Sequence, residues 1–235
     1  MKITGSTALV TGSNRGLGAE FVRQLLERGA SRVYATARRP ESVTAAGVDV
    51  LALDVTDHTQ VQEAARIATD VDLVINNAGI NSGSALVTGD LAKIREDMEV
   101  NLFGPLVMAR AFAPVLAANG GGAILNVLSG ASWFVAPGAA SYGVSKAAAW
   151  GLNDGLRVEL ASQGTQVTSV LMGVVDTDMA AGYPGEKPST LSVVTRALDG
   201  LELGSSEVLG DDLVGMAKAS LVLDPAERYA KFLGV

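Results

Sequence analysis

The chain contains no cysteine and a single histidine, and these two shortages remove whole classes of chemistry. Without cysteine there is no disulfide, thiol nucleophile or thiolate metal site, a composition compatible with a reducing compartment. A Ser-His-Asp triad or a zinc site would have to be built around His58 alone. In the polar run Asp57-His58-Thr59, that residue reads as a solvated group near a helix start. Basic charge is scarce too: 18 Lys and Arg against 25 Asp and Glu give a net charge of −7. No electrostatic footprint for nucleic acid or an anionic membrane is therefore expected. The apolar stretch Thr7 to Val10 is short and runs into glycines, unlike a secretory signal. No apolar run is expected to reach the roughly 18–20 residues of a membrane span. The expectation is a cytoplasmic protein that binds neither membrane nor nucleic acid.

What is present is a globular composition, 48% hydrophobic and 18% charged over 235 residues. That length suits one domain with a full core. Short β-branched runs alternate with longer amphipathic ones. Strands are predicted at Ala8–Thr11, Arg32–Ala37, Val48–Asp54, Asp72–Asn76, Ala123–Leu128, Gln166–Met172 and Glu207–Leu209. Helices are predicted at Leu17–Arg28, Thr59–Ala68, Leu91–Ala118, Ala139–Ser162, Leu191–Leu203 and Leu213–Leu221. The alternation implies an α/β fold, a Rossmann-like doubly wound parallel sheet flanked by helices, in a single domain over residues 1–235. The Gly- and Pro-containing segment around residues 178–190 reads as a loop that could serve as a substrate lid.

In such sheets ligands sit beyond the carboxyl ends of the strands. The first strand runs into Thr11-Gly12-Ser13-Asn14-Arg15-Gly16-Leu17-Gly18 and then a helix. Glycines allow a tight turn and close approach to a pyrophosphate, and the helix N-terminus offers free N–H groups. The spacing is Gly-x3-Gly-x-Gly rather than the general Gly-x-Gly-x-x-Gly. The second strand ends Thr36-Ala37-Arg38-Arg39, with no carboxylate until Glu41. Arg38, with Arg15 beside it, suits a 2′-phosphate, so NADP(H) is preferred over NAD(H). Two solvated surface arginines are the plainer alternative.

Further along stand Asn76-Asn77-Ala78-Gly79, Asn101 within Val100-Asn101-Leu102-Phe103-Gly104, then Ser129, Tyr142 and Lys146. Tyr142 and Lys146 are four residues apart, on one face of a helix. A nearby ammonium would stabilise the phenolate and lower the tyrosine pKa from about 10. Tyr142 could then exchange a proton with a carbonyl or alcohol oxygen while the Ser129 hydroxyl donates to that oxygen. Ser132 is a rival for the hydroxyl role, and Asn101 could simply stabilise an irregular helix.

Taken together, these motifs resemble the short-chain dehydrogenase/reductase family from about Thr7 to Leu221. The resemblance implies an oxidoreductase that interconverts an alcohol and a carbonyl compound, with Asn101, Ser129, Tyr142 and Lys146 as its catalytic set. It further implies that Lys146 holds the nicotinamide ribose and that Asn101 fixes a water in a proton relay. Asp54 would contact the adenine and Thr177 the carboxamide. Gly12, Asn14, Gly16, Leu17, Gly18, Val55, Asn77, Ala78, Gly79, Gly173 and Val175 would line the cofactor. Met172-Gly173 stands where the family has Pro-Gly, which leaves that loop freer. By the same resemblance, the two longest helices would form a homodimer or homotetramer.

Trp133, Phe134, Met179 and Tyr183, with Ser129 and Tyr142, are candidates for the substrate wall and suggest an apolar or aromatic ketone or aldehyde. Packing of Trp133 and Phe134 in the core or at a subunit interface is the alternative. A non-redox enzyme of the same family and an idle NADP(H)-binding sensor are the competing functions. Both classes usually lose part of the Ser-Tyr-Lys set or the glycine cradle, which this chain retains. No metal is expected.

Overall fold

The computed structural model describes the backbone of residues 1–233 and side chains through Ala230. Its strands are β1 (Thr7–Thr11), β2 (Arg32–Ala37), β3 (Asp49–Ala52), β4 (Leu73–Asn76), β5 (Ala123–Val127), β6 (Gln166–Leu171) and β7 (Glu207–Leu209). They form one sheet in the order β3-β2-β1-β4-β5-β6-β7, and every pairing is parallel. The helices are α1 (Gly16–Glu27), α2 (His58–Ile67), α3 (Leu91–Met98), α4 (Gly104–Ala118), α5 (Ala140–Leu160), α6 (Thr190–Glu202), α7 (Asp212–Ala219) and α8 (Pro225–Leu233). The strand order reverses between β1 and β4, which opens a crevice at their carboxyl ends.

Alternate strand residues feed opposite faces. Leu73 and Ile75 join Phe21, Leu25, Val194 and Leu198 on the α1/α6 side. Val74 joins Val61, Met108, Phe112 and Leu156 on the α2/α4/α5 side. Burial on both faces explains why these strands read as nearly continuous apolar runs.

One buried row is polar. Asn76 Nδ2 donates to Asn126 Oδ1 at 2.7 Å, Asn126 donates to Asn153, and Asn153 Nδ2 donates to Ser169 Oγ at 2.6 Å. Arg157 Nη2 ends the row by donating to the same hydroxyl at 2.8 Å. This chain ties α5 to β4, β5 and β6, and so sets where the Tyr142 helix lies over the sheet.

The long helix expected over Leu91–Ala118 is interrupted by a π-helical turn, Glu99–Phe103, between α3 and α4. The extra residue in that turn rotates Asn101 into the interior, where it is 1% exposed. The expectation that no apolar run reaches membrane length also needs correction. Within Leu91–Ala118, an 18-residue window reaches a mean hydropathy of 1.5, enough by length and composition to cross a bilayer. Its apolar side is spent on the core, where Met108, Phe112 and Leu116 are fully buried. The third strand is shorter than Val48–Asp54, because the chain turns at Asp54, which accepts from the Thr56 N–H and hydroxyl. The α8 helix beyond Leu221 was not anticipated. His58 is exposed at the first position of α2, capped by Asp57.

Asn153→Leu would strand the buried Asn126 amide donor and break two hydrogen bonds. Urea unfolding should show a loss of about 2–4 kcal/mol. A loss below about 1 kcal/mol would mean that the row contributes little.

Candidate active site

The first wall of the crevice is the glycine loop. Gly12 and Gly16 have φ of +67° and +55°, which favours glycine at both. At Gly18 the constraint is space: an added Cβ would sit 2.0 Å from the Gly12 carbonyl oxygen. Arg15 precedes α1 without a side-chain cap, leaving the helix N–H groups open toward the crevice. Ser13 fastens the loop to β2, donating its hydroxyl to Val10 O at 2.7 Å and accepting from Thr36 N–H at 3.1 Å. These bonds tie the loop to Thr36 near the end of β2, two residues before the exposed Arg38. Arg15 is instead held by Asp178 at 2.7 Å, across the crevice, with both side chains largely exposed.

The second wall follows β4. Thr11 Oγ1 accepts from the N–H groups of Asn77 and Ala78, both at 3.0 Å. The Asn77 amide donates back to the carbonyls of Thr11 and Gly12 at 2.9 and 3.1 Å. The Asn77 side chain therefore braces the glycine loop. A Cβ on Gly79 would meet Asn101 Oδ1 at 3.1 Å and Lys146 Nζ at 3.5 Å. Only a glycine leaves that floor open. Asp54 and Val55 follow β3; Asp54 is half-buried, and Val55 packs in the core, where a Cβ on Gly104 would lie 2.9 Å from its Cγ2.

The reactive groups meet between these walls. Ser129, two residues past β5, lies near enough to the Tyr142 hydroxyl to lower its pKa. Its own Oγ accepts from Ala131 N–H at 3.1 Å, which fixes the turn. Ser132, the rival hydroxyl, is buried and donates to Lys146 O at 3.0 Å. Lys146 Nζ donates to Val127 O at 2.9 Å and stands 5.7 Å from the centre of the Tyr142 ring. Asn101 Nδ2 donates to Ile80 O at 2.8 Å and Ser145 Oγ at 2.9 Å, and Ser145 in turn donates to Tyr142 O.

Burial reverses the expected direction for the tyrosine. It pushes the Tyr142 phenol up to about 12, outweighing the lowering effect of Ser129, with Asp97 reinforcing the rise. Burial also brings the Lys146 ammonium down to about 8. A cation with its own desolvation cost, turned toward a carbonyl, does not pull the phenol down.

The loop after β6 forms the third wall. The absence of the family's proline does not free it, because Gly173 N–H donates to Asp211 Oδ2 at 2.6 Å. The other Asp211 oxygen caps α7 through Val214 N–H at 2.9 Å. Sequence reading overlooked Asp211; Asp before an amphipathic run is an N-cap signal, but its second bond is tertiary. Val175 is buried, and Thr177 lies against the cradle, its Cγ2 3.4 Å from a Cβ placed on Gly16. Trp133 is buried in a small cluster with Leu128, Ala149 and Val214, edge-on to Trp150 at 5.9 Å. Phe134 stacks on Tyr229 of α8 at 4.8 Å. Met179 and Tyr183 are exposed on the loop segment around residues 178–190. A cavity of about 280 Å³ beneath it is lined by Val174, Tyr183, Glu186, Lys187, Pro188, Asp211 and Leu213.

Residues 6–187 match the short chain dehydrogenase family. This chain belongs to that family. A short chain dehydrogenase from Burkholderia cenocepacia, solved in complex with NADP, superposes with a TM-score of 0.95 at 42% identity, covering 99% of both chains. A bulky-bulky ketone specific alcohol dehydrogenase from Comamonas testosteroni follows at TM-score 0.77 and 26% identity, covering 95% of this chain and 98% of its own. Oxidoreductase BOA17 of Botryotinia fuckeliana is 36% identical over 73% of this chain, which spans 66% of that relative, just under two thirds. The protein is thus a short-chain dehydrogenase/reductase-type oxidoreductase with a single-domain Rossmann-like sheet. The uncapped α1 terminus and the open glycine floor fit a nicotinamide dinucleotide.

Two outcomes follow. Gly18→Ala should cost about 2–4 kcal/mol in urea unfolding and abolish tight dinucleotide binding, since backbone must shift to admit the methyl. Lys146 has a folded-state value of about 8 against an ordinary 10.5. The cofactor-free protein therefore binds fewer protons folded than unfolded in that window, and its stability should rise with pH from 8 toward 10. Lys146→Met should flatten that rise; an unchanged slope would show that Lys146 is not its source.

Proposed function

We propose that the protein is an NADP(H)-dependent reductase of an apolar or aromatic ketone or aldehyde, with Tyr142 as the proton donor. The observation that carries this reading is the grouping of Lys146 and Asn101 at the open floor at Gly79, with the Tyr142 ring near Lys146 and Ser129 near the phenol. When bound, the nicotinamide would deliver hydride to the carbonyl carbon. A substrate oxygen beside Ser129 receives a hydrogen bond from its hydroxyl and a proton from Tyr142 as negative charge develops. The raised phenol pKa keeps Tyr142 protonated at neutral pH, the state that reduction requires. Lys146 brings positive charge to the same floor. Asn101 holds Ile80 and Ser145, and through Ser145 the backbone of Tyr142.

Preference for NADP(H) over NAD(H) rests on Arg38. It is exposed two residues past Thr36, where Ser13 fastens the glycine loop, while Arg15 is engaged with Asp178. The NADP complex of the Burkholderia relative supports the same cofactor. A bulky apolar substrate is supported by Phe134, Met179 and Tyr183 around the crevice and by the Comamonas relative's ketone specificity. Assembly as a homo-oligomer belongs to this proposal too.

Tyr142→Phe should lower kcat for ketone reduction by roughly 10²–10⁴-fold with NADPH binding nearly intact. A fully active variant would remove Tyr142 as the acid. Arg38→Asp should weaken NADPH by roughly tenfold or more, the loss of a charge-assisted contact, and leave NADH nearly unchanged. Equal effects on both cofactors, read by fluorescence titration, would refute the assignment of Arg38.

A further inference from the structure

Asp97, near the end of α3, is fully buried, and no role in the reaction above requires it. A carboxylate withdrawn from water is costly unless its oxygens are satisfied. Here all of its hydrogen-bond donors are neutral. Ser82 donates its N–H to Oδ1 at 2.9 Å and its hydroxyl to Oδ2 at 2.8 Å, and Ser141 donates its hydroxyl to Oδ2 at 2.5 Å. Ser141 is itself fully buried and immediately precedes Tyr142 in the first turn of α5. Its N–H donates to Ser84 O at 3.3 Å, so the loop after β4 and the start of α5 are joined twice.

We propose that Asp97 is a positioning residue for the reaction, a buried anion that clamps the first turn of α5 to the loop after β4 and so fixes the Tyr142 hydroxyl against Ser129. The clamp needs a strong acceptor. One carboxylate oxygen takes two hydroxyls, and a charged acceptor makes each bond stronger than a neutral one would. The charge also acts on Tyr142. The groups facing the phenol are Lys146 from α5, Ser129 from the β5 turn and Asp97 from α3; Asn101 in the π-helical turn is neutral. Asp97 is the anion among them and opposes ionisation of the phenol. Its removal therefore favours the phenolate, and alcohol oxidation, which needs the phenolate, should extend to lower pH.

This inference rests on Tyr142 as acid and base, and the test separates the two. Asp97→Asn keeps the shape, and the serine hydroxyls can turn to accept from its amide. Ser141→Ala breaks the clamp but retains the charge. Asp97→Asn is expected to lower kcat by roughly ten- to a hundredfold, the cost of misplacing a reacting group, with NADPH affinity unchanged. It should also move the oxidation pH profile toward acid. Ser141→Ala should lower kcat without moving the profile. Hydrogen exchange of the 139–143 amides should quicken in both variants, a readout independent of turnover. Unchanged exchange, or an Asp97→Asn enzyme with unaltered kcat and pH profile, would overturn the clamp. Faster exchange in a protein that reduces no carbonyl compound would leave the clamp standing and refute the reductase reading instead.

Discussion

The site depends on the fastening of the loop after β1 to the loop after β4. Thr11 Oγ1 accepts two backbone N–H groups from Asn77 and Ala78, and the Asn77 amide returns two bonds to Thr11 and Gly12. In a doubly wound sheet the strand order reverses between these strands, so no crossover helix covers the gap. Something must hold the gap at a fixed width without filling it. Four hydrogen bonds among four residues do so. The glycines then keep the space clear. Gly18 lets α1 approach Gly12, and Gly79 leaves Asn101 and Lys146 uncovered.

The catalytic side is built by a different device. Tyr142 and Lys146 lie on α5, whose position over the sheet is set by Asn153 and its buried partners. Polar ties in a core cost desolvation unless each member is satisfied, but they fix register in a way that interchangeable aliphatic contacts do not. The π-helical turn does for Asn101 what this row does for α5. It spends one residue of helix regularity to turn a single amide inward. Both devices trade local economy for placement at the edge of the crevice.

The parts legible in the sequence were those governed by local rules. Strand runs buried on both faces, the glycine turn after β1 and the four-residue spacing of Tyr142 and Lys146 follow from periodicity and backbone geometry. Asp211 and Asp97 were not legible, because each resembles an ordinary helix-surface or capping carboxylate. What sets them apart is a partner 38 or 44 residues away in sequence, Gly173 for one and Ser141 for the other. Trp133 was ambiguous for a related reason. Its position after β5 suited a pocket wall, but Trp150 and Val214, from α5 and α7, bury it instead. The apolar window within Leu91–Ala118, which sequence reading did not anticipate, belongs to the core, because hydropathy counts residues without knowing which face meets the sheet.

The tyrosine shows where spacing stops being informative. Four residues on a helix put Lys146 near Tyr142, and charge proximity alone argues for a lowered phenol pKa. The fold places both groups where water is scarce, so desolvation acts on the phenol and the ammonium together and drives their values toward the neutral forms. A phenol near 12 beside an ammonium near 8 is a poor resting base and a serviceable donor. Tyr142 is thus kept protonated at neutral pH for a reason that lies in burial rather than in sequence spacing. Asp97 adds to that bias. The resting protonation state of the pair is set by what surrounds it.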